Sequence, residues 1–82
     1  MEYEVGSPYL IDYPSGTRLS VLIDKNYTDL TFYDGSCFQF SYNFIKNGNV
    51  KVYPYTEEYY TEELDNEFIK LILEIEQEGK NA

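Results

Sequence analysis

The stretch DLTFYDGSCFQFSYNFI, residues 29–45, constrains the fold of this chain more than any other. Its Asp34-Gly35 pair suits the positive backbone angles that a tight hairpin turn demands. Beyond the turn, FQFSYNF alternates strictly, which predicts a strand with Phe38, Phe40, Tyr42 and Phe44 on one face. Gln39, Ser41 and Asn43 fall on the other, wetter face, and Cys37 shares their parity. A second turn follows in KNGN, where Asn47-Gly48 is a favoured two-residue type I′ pair. VKVYPY (50–55) then reads as a returning strand, and Pro54 places its end at a sheet edge or beyond it. Consecutive hairpins predict an antiparallel meander of three strands. TRLSVLI (17–23), with Leu19, Val21 and Ile23 on one face, is a candidate fourth strand. PYLIDYPSG (8–16), bracketed by Pro8 and Pro14, reads as an irregular arm or a short edge strand.

The tail has a different period. Leu64, Phe68, Leu71 and Ile75 recur at spacings of four, three and four, with Ile72 beside them, which is one face of an α-helix. Gly79 suits the position just past the helix end, and Lys80 suits the negative end of its dipole. Two starts compete. Thr61 as N-cap puts Glu62 and Glu63 in the first turn; Thr56 does the same for Glu57 and Glu58, with a Tyr55–Tyr60 staple across the cap. The helical stripe and the phenylalanine face of the hairpin are the two apolar surfaces expected to meet. The expected fold is therefore α+β, a three- or four-stranded antiparallel meander sheet with one C-terminal α-helix packed on one face. Residues 1–82 form a single domain, because a chain this short has no second core to spare. Its parts are an arm or edge strand over 1–16, the sheet over 17–55 and an acidic helix over 56–79.

Composition enters through what it excludes. Histidine is absent and there is one cysteine, which removes Ser-His and Cys-His catalysis and the usual zinc sites. DKNYTD (24–29) has the outline of a calcium loop, but its sixth position is Asp29 instead of Gly. Its twelfth is Gly35 where a bidentate Glu is required. No glycine motif cradles a phosphate, so no enzyme, cofactor or metal is expected. The acidic opening MEYEVG lacks the basic start and apolar run of a signal peptide, and no apolar run is long enough to span a membrane. With a single thiol, these features point to the cytoplasm.

The formal net charge is −9, and it is unevenly distributed. Between Glu57 and Glu78 nine acids face Lys70 alone, while the rest of the chain is nearly balanced. A nucleic-acid backbone and an anionic membrane are disfavoured as partners; a basic protein surface, such as that of a nucleic-acid-binding protein, is the complementary one. Carboxylates at helical i,i+4 spacing lie about 6 Å apart, close to the spacing of successive phosphates. Glu57, Glu58, Glu62, Glu63, Asp65 and Glu67 are accordingly the candidate phosphate stand-ins, with Tyr59 and Tyr60 packing on the target. Part of this acid also has a plain role as dipole-matched helix-start chemistry and a solvated face. Ile69 and Leu73 form an i,i+4 pair on the far side of the helix from the stripe. They are either covered by Tyr9, Leu10 and Ile11 of the N-terminal arm, or exposed as a partner or dimer contact.

In size, acidity and lack of a catalytic set, the chain is similar in kind to phage-encoded counter-defence proteins such as anti-CRISPR and anti-restriction inhibitors. That likeness implies a small protein-binding inhibitor acting by nucleic-acid mimicry, as a monomer or homodimer. Two other readings stand beside it. One is a toxin-neutralising immunity or antitoxin-like protein. The other is a structural or assembly protein that oligomerises through Ile69, Leu73 and a free sheet edge.

Overall fold

A computed structural model describes the chain from Glu2 to Asn81, with side chains as far as Gln77. Five strands and two α-helices follow in the order β1 (Pro8–Tyr13), β2 (Gly16–Lys25), β3 (Asp29–Tyr33), β4 (Cys37–Ser41), α1 (Tyr42–Lys46), β5 (Lys51–Pro54) and α2 (Glu62–Asn81). A short 3₁₀ turn, Glu57–Tyr59, precedes α2. The sheet is antiparallel and open, with strand order β4-β3-β2-β1-β5. The α+β class and the single C-terminal helix are as the sequence predicts; the strand count is five, not three or four.

The Asp34-Gly35 hairpin forms as expected, with Gly35 at φ 115° and β3 paired to β4 from Asp29↔Ser41 to Tyr33↔Cys37. The second expected hairpin does not. Alternation stops at Ser41, whose hydroxyl accepts the Phe44 N–H at 3.0 Å and so caps α1. The Asn47-Gly48 pair keeps its left-handed glycine (φ 82°) but uses it to end α1, where the Gly48 N–H donates to the Ile45 carbonyl at 3.0 Å. A helix C-terminus and a type I′ turn ask for the same glycine conformation, so the dipeptide alone cannot tell them apart. What separates them is burial: the helical turn swings Ile45 and Tyr42 against the core, and Val50 follows them in.

β5 therefore pairs with β1, not with β4, in the register Ile11↔Val52. This corrects the reading of residues 1–16 as an arm or edge strand. Residues 8–13 are an interior strand, with Tyr9, Leu10 and Ile11 all buried. Pro54 ends β5 on the outer edge, where its missing N–H breaks no ladder.

Each face of the sheet has its own core. On one lie Tyr9, Ile11, Leu22, Leu30, Phe32 and Val52, closed by Phe38, Phe40, Tyr13 and the α1 connection. Tyr13 of β1 meets Phe40 of β4 at 6.1 Å between ring centroids, although β2 and β3 lie between them. The sheet must therefore curl strongly, and a register shift between Leu22 and Asp24 in β2 adds local twist. The other face carries Val21, Ile23 and Tyr33, and α2 lies across it through Phe68, Leu71, Ile72 and Ile75. The helical stripe is thus read correctly from sequence, but its partner face is not. The phenylalanines are covered by the curl of their own sheet, leaving α2 to the aliphatic residues of β2.

Candidate functional site

The acidic segment has a jointed backbone. Thr56 is extended and makes no side-chain cap; its carbonyl accepts the Tyr59 N–H at 2.9 Å, closing only the 3₁₀ turn. Thr61 is the working N-cap: its hydroxyl accepts the Leu64 N–H at 3.1 Å and its carbonyl the Asp65 N–H at 3.0 Å. Of the two sequence-predicted starts, the later one opens α2. The reading of 56–79 as one helix is corrected accordingly, since residues 57–59 form a separate turn. The Tyr55–Tyr60 staple loses its helix start, and no ring contact joins those two among the described residues. At its far end α2 runs through Gly79 to Asn81. The side chains of Glu78 and Lys80 lie outside the described ones.

This joint makes Glu57, Glu58, Tyr59 and Tyr60 a knuckle in front of the helix, all four exposed. Along α2, Glu62 and Glu63 are exposed, while Asp65 and Glu67 are half-buried on opposite flanks of the packing stripe. The carboxylates therefore form no single row. Glu63 and Glu67 follow one flank toward Glu74, and Asp65 follows the other toward Glu76. Ile69 and Leu73 stand on the ridge between, 50% and 55% exposed. The N-terminal residues proposed to cover this pair are buried in β1, so that alternative is overturned.

Some of the acid has a structural use. Glu74 accepts the Tyr33 phenol at 2.8 Å, tying α2 to β3 in a half-buried setting. Among the described residues the candidate carboxylates Glu57, Glu58, Glu62, Glu63, Asp65 and Glu67 have no bond of this kind. Among the described residues the ion pair is Arg18–Asp34, 3.7 Å apart and outside the acidic segment. Also among the described residues, no cluster of three or more His, Cys, Asp or Glu could hold a metal ion. No helix there is long and apolar enough to cross a membrane.

A second surface escapes the sequence reading. Two adjoining hollows of about 470 and 450 Å³ share Lys25 and Tyr42, the first lined also by Asn26 and Tyr27 and the second by Glu2, Tyr3 and Glu4. Lys25 Nζ donates to the Tyr3 carbonyl at 2.7 Å. Asn26 Oδ1 accepts the Thr28 and Asp29 N–H groups, so the segment resembling a calcium loop is a tight turn closing β2 onto β3. That turn leaves Tyr27 fully exposed. Burial, with Tyr9 and Tyr42 nearby, raises the Tyr3 phenol above its ordinary pKa. The usable signal is the polar NYT triplet between two apolar strands, which marks a turn with an aromatic at its tip.

No family model matches the chain, and no match was found among curated proteins or solved structures.

Proposed function

We propose that this chain is a small protein-binding inhibitor that blocks a basic, nucleic-acid-binding surface on another protein by charge mimicry. The supporting observation is that Glu57, Glu58, Glu62 and Glu63 are exposed and have no ion pair among the described residues, while the helix beneath is held by its apolar stripe. These carboxylates are therefore free to meet Lys and Arg side chains arranged for phosphates. Asp65 and Glu67 extend the negative surface along both flanks, Tyr59 and Tyr60 pack on the target, and Ile69 and Leu73 add apolar contact. A phage counter-defence setting of the anti-CRISPR or anti-restriction kind, in the host cytoplasm, matches the size and charge of the chain. An adjacent toxin gene would instead mark it as a toxin-neutralising immunity protein.

The test is capture of partners from host lysate at low and high salt, with duplex DNA as competitor. Capture should fall steeply as salt rises, because exposed charge attraction is screened over about 8–10 Å near physiological ionic strength. DNA should displace the partner. The triple reversal Glu62→Lys, Glu63→Lys, Glu67→Lys should weaken capture at least about tenfold, roughly 1.4 kcal/mol. Binding that survives both salt and charge reversal would sink the mimicry.

A further inference from the structure

The two edges of the open sheet are not equivalent. β5 is four residues long, carries exposed Lys51 and ends at Pro54, features that discourage another strand from adding to it. β4, CFQFS, has no charge, no proline and no bulge.

The ladder shows which of its backbone groups are open. On either side of the β3–β4 pairing, the Tyr42 N–H donates to the Thr28 carbonyl at 3.0 Å and the Asp34 N–H to the Ser36 carbonyl at 3.2 Å. Bonded and non-bonded pairs alternate along an antiparallel ladder. Leu30/Phe40 and Phe32/Phe38 are therefore the bonded pairs within the register, and Thr31/Gln39 and Tyr33/Cys37 are not. The N–H and C=O groups of Cys37 and Gln39, with the Ser41 N–H, accordingly point away from β3 along the free edge. Phe44, stacked on Phe40 at 5.5 Å with an interplanar angle of 7°, leaves an aromatic face 39% exposed beside them.

We propose that β4 pairs with β4 of a second copy of this chain, antiparallel about a two-fold axis through Gln39, to give a continuous ten-stranded sheet. The register follows from the open groups. Placing Gln39 opposite itself sets Cys37 opposite Ser41 and makes the outward-facing residues the bonded pairs. Phe38 then meets Phe40 of the other copy on one face, and small polar side chains meet on the other. No like charges come face to face, a self-complementarity that a two-fold interface requires. The net charge of −9 does not oppose it at the edge, because the excess lies on α2 and the turn before it. α2 seats on Val21 and Ile23 of β2, two strands or about 10 Å from β4, and meets β3 through Tyr33, whose phenol holds the Glu74 carboxylate.

This proposal is independent of the acidic surface, and salt separates the two. Partner capture by mimicry weakens with salt, whereas self-pairing should persist or strengthen as residual repulsion is screened. Light scattering on the full chain over a range of concentrations should give a mass approaching twice 9.7 kDa. Gln39→Pro removes an outward N–H while sparing the β3 ladder, and should return the chain to a folded monomer. A crosslinking variant, Cys37→Ser with Gln39→Cys, puts the paired Cα atoms about 5.5 Å apart, within disulfide reach. It should give a disulfide-linked dimer on mild oxidation. The unaltered Cys37 should not, since it lies about 13 Å along the strands from its copy. A monomer at every concentration with no crosslink at position 39 overturns the proposal. So does a dimer indifferent to Gln39→Pro, or one crosslinked through Cys37.

Discussion

Ser20 is fully buried on the aromatic side of the sheet, opposite Tyr9, and its hydroxyl has no hydrogen-bond partner among the described residues. An unpaired buried hydroxyl costs about 1–3 kcal/mol in proteins. Ser20→Ala should therefore leave the fold intact and raise its stability by up to about 1 kcal/mol, read as a higher urea midpoint at unchanged slope. A loss of similar size would mean that the hydroxyl is bonded. Tyr3 and Tyr13 bear on pH. Both phenols are raised above the ordinary value of 10.0, Tyr3 by burial and then by Tyr9 and Tyr42. For Tyr13 the causes are burial and then Asp34, partly offset by Arg18. A raised folded pKa favours the neutral phenol in the folded state, so this stability is complete below the unfolded pKa and is lost as pH climbs through the folded one. Urea midpoints should hold up to about pH 9 and fall above about pH 10, and the double change Tyr3→Phe, Tyr13→Phe should flatten that fall. At this scale the sequence is legible where a side chain acts on its own backbone. Thr61 as a cap and Gly35 as a turn glycine are local facts, whereas the isolation of Ser20 depends on strands the chain meets only after folding.

Among the elements, α2 shows best how a period separates packing from display. Leu71 is 1% exposed against Val21 and Tyr33, while Leu73, two residues on, is 55% exposed. Leu71→Ala should cost about 2–5 kcal/mol in urea denaturation. Leu73→Ala should change stability by no more than about 0.5 kcal/mol and show its effect in partner capture instead. Equal losses from the two would mean that the helix is seated on a different face. The stripe was readable because helical spacing is a property of the element alone. Its seat was not, because both sheet faces are apolar and only the curl decides which one remains for α2. The same limit applies to α1. Alternation through Tyr42 and Phe44 is strand-like, and the Ser41 cap and the burial of Ile45 outweigh it.

For the molecule as a whole, the α+β class and the concentration of charge at one end were legible, since both follow from patterns within segments. The pairing of β1 with β5 was not, because it joins residues some forty apart and leaves no local trace in either. The candidate site divides in the same way. The exposure of Glu57 to Glu63 followed from composition and helix-start chemistry, but the hollows around Lys25 and Tyr42 arise where the N-terminal segment meets the β2–β3 turn and α1.

The interior position of β1 also has a temporal side. Of the five strands it is synthesised first, and it forms hydrogen bonds along both edges, yet β5 is synthesised last of them. Until Lys51–Pro54 emerges, one edge of β1 stands open, with Ile11 still lacking Val52 beside it. A nascent chain stalled before residue 50 would thus expose a long apolar strand edge that the finished protein conceals, the kind of edge on which chains aggregate. In this topology β1 is sealed only when the strand synthesised last has paired with it.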